Sequence, residues 1–135
     1  MVTTPAIAGL RAVPLFSGLD DAALQRVARL ATEFEAPQGL VLIEIGQAGT
    51  GVFVIEEGAV RIELPDGTRI ERGPGSFFGE LSVLADTPRA GRVIAIEPLR
   101  AIAIRREDLL ALLEDEPAMA LSMLREVARR LAEAI

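Results

Sequence analysis

The break pattern of residues 33–71 constrains the fold more than any other feature of the chain. Pro37-Gln38-Gly39, Gly46, Glu57-Gly58 and Pro65-Asp66-Gly67 divide it into short β-like runs at 33–36, 41–45, 51–57, 59–64 and 68–71. Asp66-Gly67 stands between Arg61-Ile62-Glu63-Leu64 and Arg69-Ile70-Glu71, which is a hairpin signature because these two residue types accept the backbone angles of a tight turn. Successive side chains of a strand point to opposite faces, so Val60, Ile62 and Leu64 share one face. Two more apolar runs, 91–96 and 99–104, are separated by Glu97-Pro98. Short strands with repeated glycine turns favour a barrel or a double-sheet jelly roll over alternating parallel β/α units.

The flanks follow a helical period. Residues 1–12 read as an irregular lead-in or a short helical turn. Asp20 is placed to cap a helix beginning at Asp21, whose Leu24, Val27, Ala28 and Ala31 recur at spacings of three and four. After Arg105, residues 107–114 carry Leu109, Leu110, Leu112 and Leu113 on a short helix, and Glu116-Pro117 opens another that runs to Ile135. In it Leu121, Leu124, Ala128, Leu131 and Ile135 have the spacing of a coiled-coil seam, which is equally the spacing of a helix packed on its own domain. The expected class is mainly β with flanking helices: a double-stranded β-helix or jelly-roll barrel with an N-terminal helix and a C-terminal helical segment. A chain of 135 residues suits one core, so residues 13–135 are expected to form one domain behind the lead.

Residues 73–93, GPGSFFGELSVLADTPRAGRV, carry the chemistry. Glu80 can accept hydrogen bonds from sugar hydroxyls, and Arg89 can hold two phosphate oxygens in a charge-assisted fork. The glycines and small residues between them let backbone N–H groups approach an anion. Phe77 and Phe78 are expected to anchor the segment by burying their rings.

FFGELSVL followed by PRA resembles the phosphate-binding cassette of the cyclic nucleotide-binding domain family, which includes catabolite-activator-like regulators and regulatory subunits of cyclic-AMP-dependent kinases. The resemblance runs from about Val13 to the C-terminus and implies a jelly roll. It implies that Glu80 binds the ribose 2′-hydroxyl, that Arg89 binds the cyclic phosphate, and that backbone groups of Gly79, Leu81, Ser82 and Ala90 contact sugar or phosphate. In related domains a threonine directly after the phosphate-binding arginine favours guanine; Ala90 stands there, which tilts the resemblance toward cyclic AMP over cyclic GMP. The chain departs from the pattern at Arg92, where a small polar residue is usual. Arg92 either reshapes the site or points outward on the next strand.

The remaining composition limits the alternatives. The chain has no Cys and no His, which removes disulfides and thiol chemistry and argues against a zinc or copper site. Fourteen basic residues, all Arg, face 20 acidic ones for a net charge of −6, so no broadly basic surface for nucleic acid is expected. No leader and no uncharged apolar run of about 18 residues is apparent, so a cytoplasmic, membrane-free protein is expected. No nucleophile–base pair or metal cluster suggests an enzyme. The expectation is therefore a noncatalytic cyclic nucleotide sensor, with no other cofactor and no direct DNA contact, that couples binding to its C-terminal helix and forms a homodimer through it. Arg125, Arg129 and Arg130 are expected to be solvated and to meet the negative end of that helix, the alternative being that one of them approaches the base when the helix closes. The rival reading is a jelly-roll interaction module that has lost nucleotide binding.

Overall fold

Two strands bury side chains on both faces, and the layers of the molecule follow from them. In Gly51–Glu57, Val52 and Val54 join a core built with the helices, while Phe53 and Ile55 join a second core between two sheets. In Leu99–Arg105, Ile102 and Ile104 belong to the first core and Leu99 and Ala101 to the second. Near-continuous apolar runs are what a sheet covered on both sides requires.

The computed structural model describes residues 2–135; Met1, the first residue of the expected lead, lies outside them. In chain order the elements are β1 (Val2–Thr3), α1 (Ile7–Arg11), a 3-10 turn (Pro14–Phe16), α2 (Asp21–Leu30), β2 (Thr32–Ala36), β3 (Val41–Ile43), β4 (Gly51–Glu57), β5 (Val60–Glu63), β6 (Arg69–Arg72), β7 (Phe77–Phe78), α3 (Glu80–Leu84), β8 (Arg92–Ala95), β9 (Leu99–Arg105), α4 (Arg106–Asp115) and α5 (Pro117–Ala134). One sheet has the order β1-β2-β9-β4-β7 and the other β3-β8-β5-β6, with antiparallel pairing throughout. This is the jelly roll with flanking helices, built as two sheets with free edges rather than as a closed barrel.

Local chemistry accounts for the element boundaries. Leu64 N–H donates to Thr68 O at 2.9 Å and Gly67 N–H to Leu64 O at 3.0 Å, with Gly67 at φ 90°. The β5–β6 hairpin thus closes through a three-residue loop in which glycine takes the left-handed position. The side chain of Asp20 accepts from Ala23 N–H at 2.9 Å and caps α2. The run expected at 41–45 ends at Ile43, and Ile45 is exposed. Two short strands escaped the sequence reading: β1, which pairs Val2 with Phe34, and β7, which pairs Phe77 and Phe78 with Val54 and Phe53.

Helix α5 rests on the body through Met119 and Met123, four residues apart, with Val127 packed beside them. Leu121, Leu124, Leu131 and Ile135 are 44%, 63%, 63% and 96% exposed, so the residues with seam spacing are not the ones that pack on the parent domain. Among the described residues no helix is long and apolar enough to cross a membrane.

Candidate functional site

The segment after β7 is fixed at its start by aromatic packing. Phe78 is fully buried and stacks on Phe53 with ring centroids 5.1 Å apart, and Phe53 meets Phe34 edge-on at 5.9 Å. Gly79 then turns the chain with φ +86°, and a Cβ there would stand 2.8 Å from Arg89 Nη1. No L side chain suits that backbone, and none would fit the space. Helix α3 follows and turns Glu80 and Ser82 inward while Leu81 stays 59% exposed, so only the backbone of Leu81 is offered to the interior.

Arg89 returns to the same point from the far side of the loop. Its N–H donates to Gln47 O at 2.8 Å and its carbonyl accepts from Gly46 N–H at 2.9 Å, which fixes the backbone. The side chain is only 6% exposed. Nη1 donates to Gly79 O at 2.6 Å and to Ser82 Oγ at 2.7 Å, and Nη2 donates to Gly51 O at 2.7 Å. All three acceptors are neutral, and Arg89 forms no ion pair among the described residues. Burial lowers its pKa, and the charge of Glu80 partly offsets that effect. A guanidinium has five N–H donors, so the Nε–H and one Nη2–H remain for a ligand.

Glu80 is also 6% exposed, and it is tied to α5. Its Oε1 accepts from Arg130 Nη1 at 3.1 Å; Arg130 Nη2 donates to Phe77 O at 2.8 Å, and the guanidinium lies 4.4 Å from the centroid of the Phe77 ring. Arg130 Nε donates to Glu126 Oε2 at 2.8 Å. Arg129, with Arg130 behind it, holds the Glu126 carboxyl down to about 2, so this carboxylate is charged at any ordinary pH. Glu80, Arg130 and Glu126 make an alternating ladder from the loop to the helix.

Gly79, Glu80, Leu81, Ser82, Arg89 and Ala90 all line one cavity of about 440 Å³, closed by Ile43, Ile62, Ile70 and Val93 of the second sheet and by Val127, Leu131 and Ala134 of α5. The volume lies in the range of small-ligand sites, and the mostly apolar wall with few polar groups is the usual make-up of such sites. Arg92 is not part of the wall. It leaves β8 outward and binds Glu44, with Nη2 to Oε2 at 3.0 Å, so of the two orientations open to it the outward one is realised. The sequence reading missed the Glu80–Arg130 pair and the presence of Arg72 in the cavity wall. The face of each arginine had a signal, though the pairing with Glu80 did not: Arg130 extends the Met123, Val127 series at spacings of four and three, and Arg72 follows Ile70 at a spacing of two.

The profile of the cyclic nucleotide-binding domain matches residues 33–116. A cyclic nucleotide-gated potassium channel of Mesorhizobium japonicum is 33% identical over 109 residues, covering 81% of this chain and 30% of the channel. The crystal structure of Thermus thermophilus catabolite activator protein superposes with a TM-score of 0.78 at 32% identity, covering 90% of this chain and 59% of that one. A cAMP-binding acyltransferase from Mycobacterium smegmatis superposes with a TM-score of 0.80 at 29% identity, covering 94% of this chain and 41% of that one. The chain thus spans less than two thirds of each of these relatives. Since the profile covers well over half of its length, the protein belongs to the cyclic nucleotide-binding domain family.

Proposed function

We propose that the protein is a noncatalytic sensor that binds a cyclic nucleotide, cyclic AMP in preference to cyclic GMP, and passes occupancy to α5. The observation that carries this reading is Arg89: a buried guanidinium oriented by three neutral oxygens, with no carboxylate to balance it and two donors left over. A cyclic phosphate supplies one negative charge and two exocyclic oxygens, which match those two donors. The ribose 2′-hydroxyl donates to the oxygen of Glu80 that Arg130 does not hold, and backbone groups of Gly79, Leu81, Ser82 and Ala90 complete the cradle. Ala90 offers no hydroxyl to a guanine amino group, which leaves adenine preferred.

Hydrolysis is not part of this reading. The chain has no His or Cys, and Glu80, as the ion-pair partner of Arg130, acts as an acceptor rather than as a proton shuttle. The relatives are a channel, a catabolite activator protein and an acyltransferase, each longer than this chain, as suits a sensing part whose outputs differ. With a net charge of −6, direct DNA contact is also left out.

Arg130 is the coupling element. A ligand that changes the Glu80 carboxylate changes the partner of a residue on α5, and it shifts the helix only if it favours one of two positions. The exposed leucines of α5 then meet a second copy, so the signal leaves as a change in a two-helix contact. The rival reading, an interaction module without ligand, drew on Arg92 as a disruption of the site; with Arg92 on Glu44 it keeps only the exposed leucines, which a dimer uses equally well. Amide exchange of α5 with cyclic AMP and with linear AMP tests the coupling. Altered protection with the cyclic nucleotide alone supports it, and unchanged protection in a saturated protein contradicts it.

A further inference from the structure

We propose that Arg72 reads the base, its guanidinium donating a hydrogen bond to a purine ring nitrogen of the nucleotide in the cavity. The inference rests on the nucleotide reading of the site above. Strand β6 alternates, with Arg69 and Glu71 exposed and Ile70 and Arg72 half-buried. The pleat therefore turns Arg72 to the same side as Ile70, into an apolar wall where a cation is out of place. Val60 stands opposite it on β5 and is fully buried.

Among the described residues Arg72 has no partner to explain that placement. Its Nε is buried without a hydrogen-bond acceptor, and no ion pair includes it among the described residues. Two other buried side-chain atoms lack acceptors or donors, Glu56 Oε1 and Arg100 Nε, but they lie 3.9 Å apart and form an ion pair with one another. Of these three atoms, only Arg72 Nε has neither kind of partner among the described residues. The carboxylates whose charge acts on Arg72 are committed elsewhere, Glu80 to Arg130 and Glu126 to Arg129 and Arg130. Burial, and then the neighbouring Arg130, lower the pKa of Arg72. The terminal nitrogens of Arg72 also make no hydrogen bond among the described residues, and on a cavity-lining residue it is these, rather than the buried Nε, that a ligand acceptor reaches.

The chemistry of a cyclic nucleotide limits which acceptor that is. The phosphate belongs to Arg89 and the 2′-hydroxyl to Glu80, so the acceptors left over are chiefly those of the base. Ile62, Leu64 and Ile70 line the cavity beside Arg72 and suit the flat face of a purine. A guanidinium only donates, so it meets a ring nitrogen of adenine, or N7 and O6 of guanine, and never the adenine amino group. This contact by itself does not exclude guanine; the preference for adenine comes from Ala90. Removing Arg72 should therefore weaken cyclic GMP at least as much as cyclic AMP.

Calorimetry with cyclic AMP and its 1-deaza, 3-deaza and 7-deaza analogues, each lacking one ring acceptor, tests this on the wild type and on Arg72→Met. The expected result is that one analogue binds the wild type roughly 10-fold more weakly than cyclic AMP, and that Arg72→Met binds cyclic AMP roughly 10-fold more weakly while no longer distinguishing that analogue. Arg72→Leu, which likewise removes every donor and suits the apolar wall, replaces the Met variant if the latter does not melt cooperatively. A variant with wild-type affinity for cyclic AMP, or one that keeps the wild-type ranking of the analogues, overturns the proposal while leaving the cyclic nucleotide reading intact. A wild type that binds no cyclic nucleotide at millimolar concentration overturns both.

Discussion

Replacing Arg130 by Met separates the ladder between loop and helix from mere packing of α5. The substitution keeps an unbranched side chain of similar reach over Phe77 and removes the bonds to Glu80 at 3.1 Å, to Phe77 O at 2.8 Å and to Glu126 at 2.8 Å. Glu80 is then left as a carboxylate without its cation, with a side chain 7% exposed. Removing one partner of a buried pair costs roughly 3–5 kcal/mol, because the other charge stays desolvated. Arg130 sits at the edge of the helix and is 12% exposed, which places the loss near the lower bound, about 3 kcal/mol. For a domain of this size that corresponds to a fall in Tm of roughly 10 °C. The assay is thermal melting of the ligand-free protein, read together with amide exchange along α5. Adding Glu80→Gln to the Met variant should recover part of the loss, since a neutral amide is less costly to leave unpaired than a carboxylate. A Tm within about 2 °C of wild type and unchanged protection of α5 would refute the ladder.

Four further outcomes follow from the same geometry. Arg89→Ala should weaken cyclic AMP binding by roughly 2–4 kcal/mol in calorimetry, because the phosphate loses the guanidinium that clamps it. Leu109→Ala, at a fully buried position of α4, should lower stability by roughly 2–5 kcal/mol in denaturant titration and leave the ratio of cyclic AMP to cyclic GMP affinity unchanged. Leu124→Glu with Leu131→Glu should turn a dimer into monomers in sedimentation, by placing unpaired carboxylates in an apolar seam; a wild type that is monomeric at every concentration contradicts the seam. Burial, and then the Glu33 carboxyl, raise Glu56 from its ordinary 4.5 to about 7. The folded protein thus holds a proton that the unfolded chain releases, so this group's contribution is fully present below pH about 4.5 and is lost as pH rises through about 7. Glu56→Gln should flatten the fall in stability across that window, measured as Tm against pH.

The jelly roll was legible because its strands are cut by turns whose residues have a mechanical reason to be there. Gly67 takes φ 90° in the β5–β6 loop, and Asp20 caps α2, each as its position in the sequence implies. The two short strands were not legible because two residues carry no period: β1 exists through its pairing with β2, and β7 reads as a pair of core aromatics until its neighbour β4 is in place. At the site the cassette named the six residues that the fold brings to one cavity. What it could not name were contacts made between distant elements. Arg130 reaches Glu80 across fifty positions, and nothing local in either stretch pairs them. Arg92 illustrates the same limit from the other side: its direction depended on whether the strand register turned it toward the cavity or toward Glu44, which follows β3 and lies 48 positions away.

In the proposed site Arg89 and Glu80 hold a cyclic nucleotide in the cavity between the second sheet and α5. Isothermal titration of the wild type with cyclic AMP, cyclic GMP and linear AMP tests it most directly. Saturable binding is expected in the order cyclic AMP, cyclic GMP, linear AMP, with cyclic AMP binding weakened in both Arg89→Ala and Glu80→Gln. Absence of binding to a cooperatively folded wild type at millimolar ligand, or equal affinity for all three nucleotides, would contradict it.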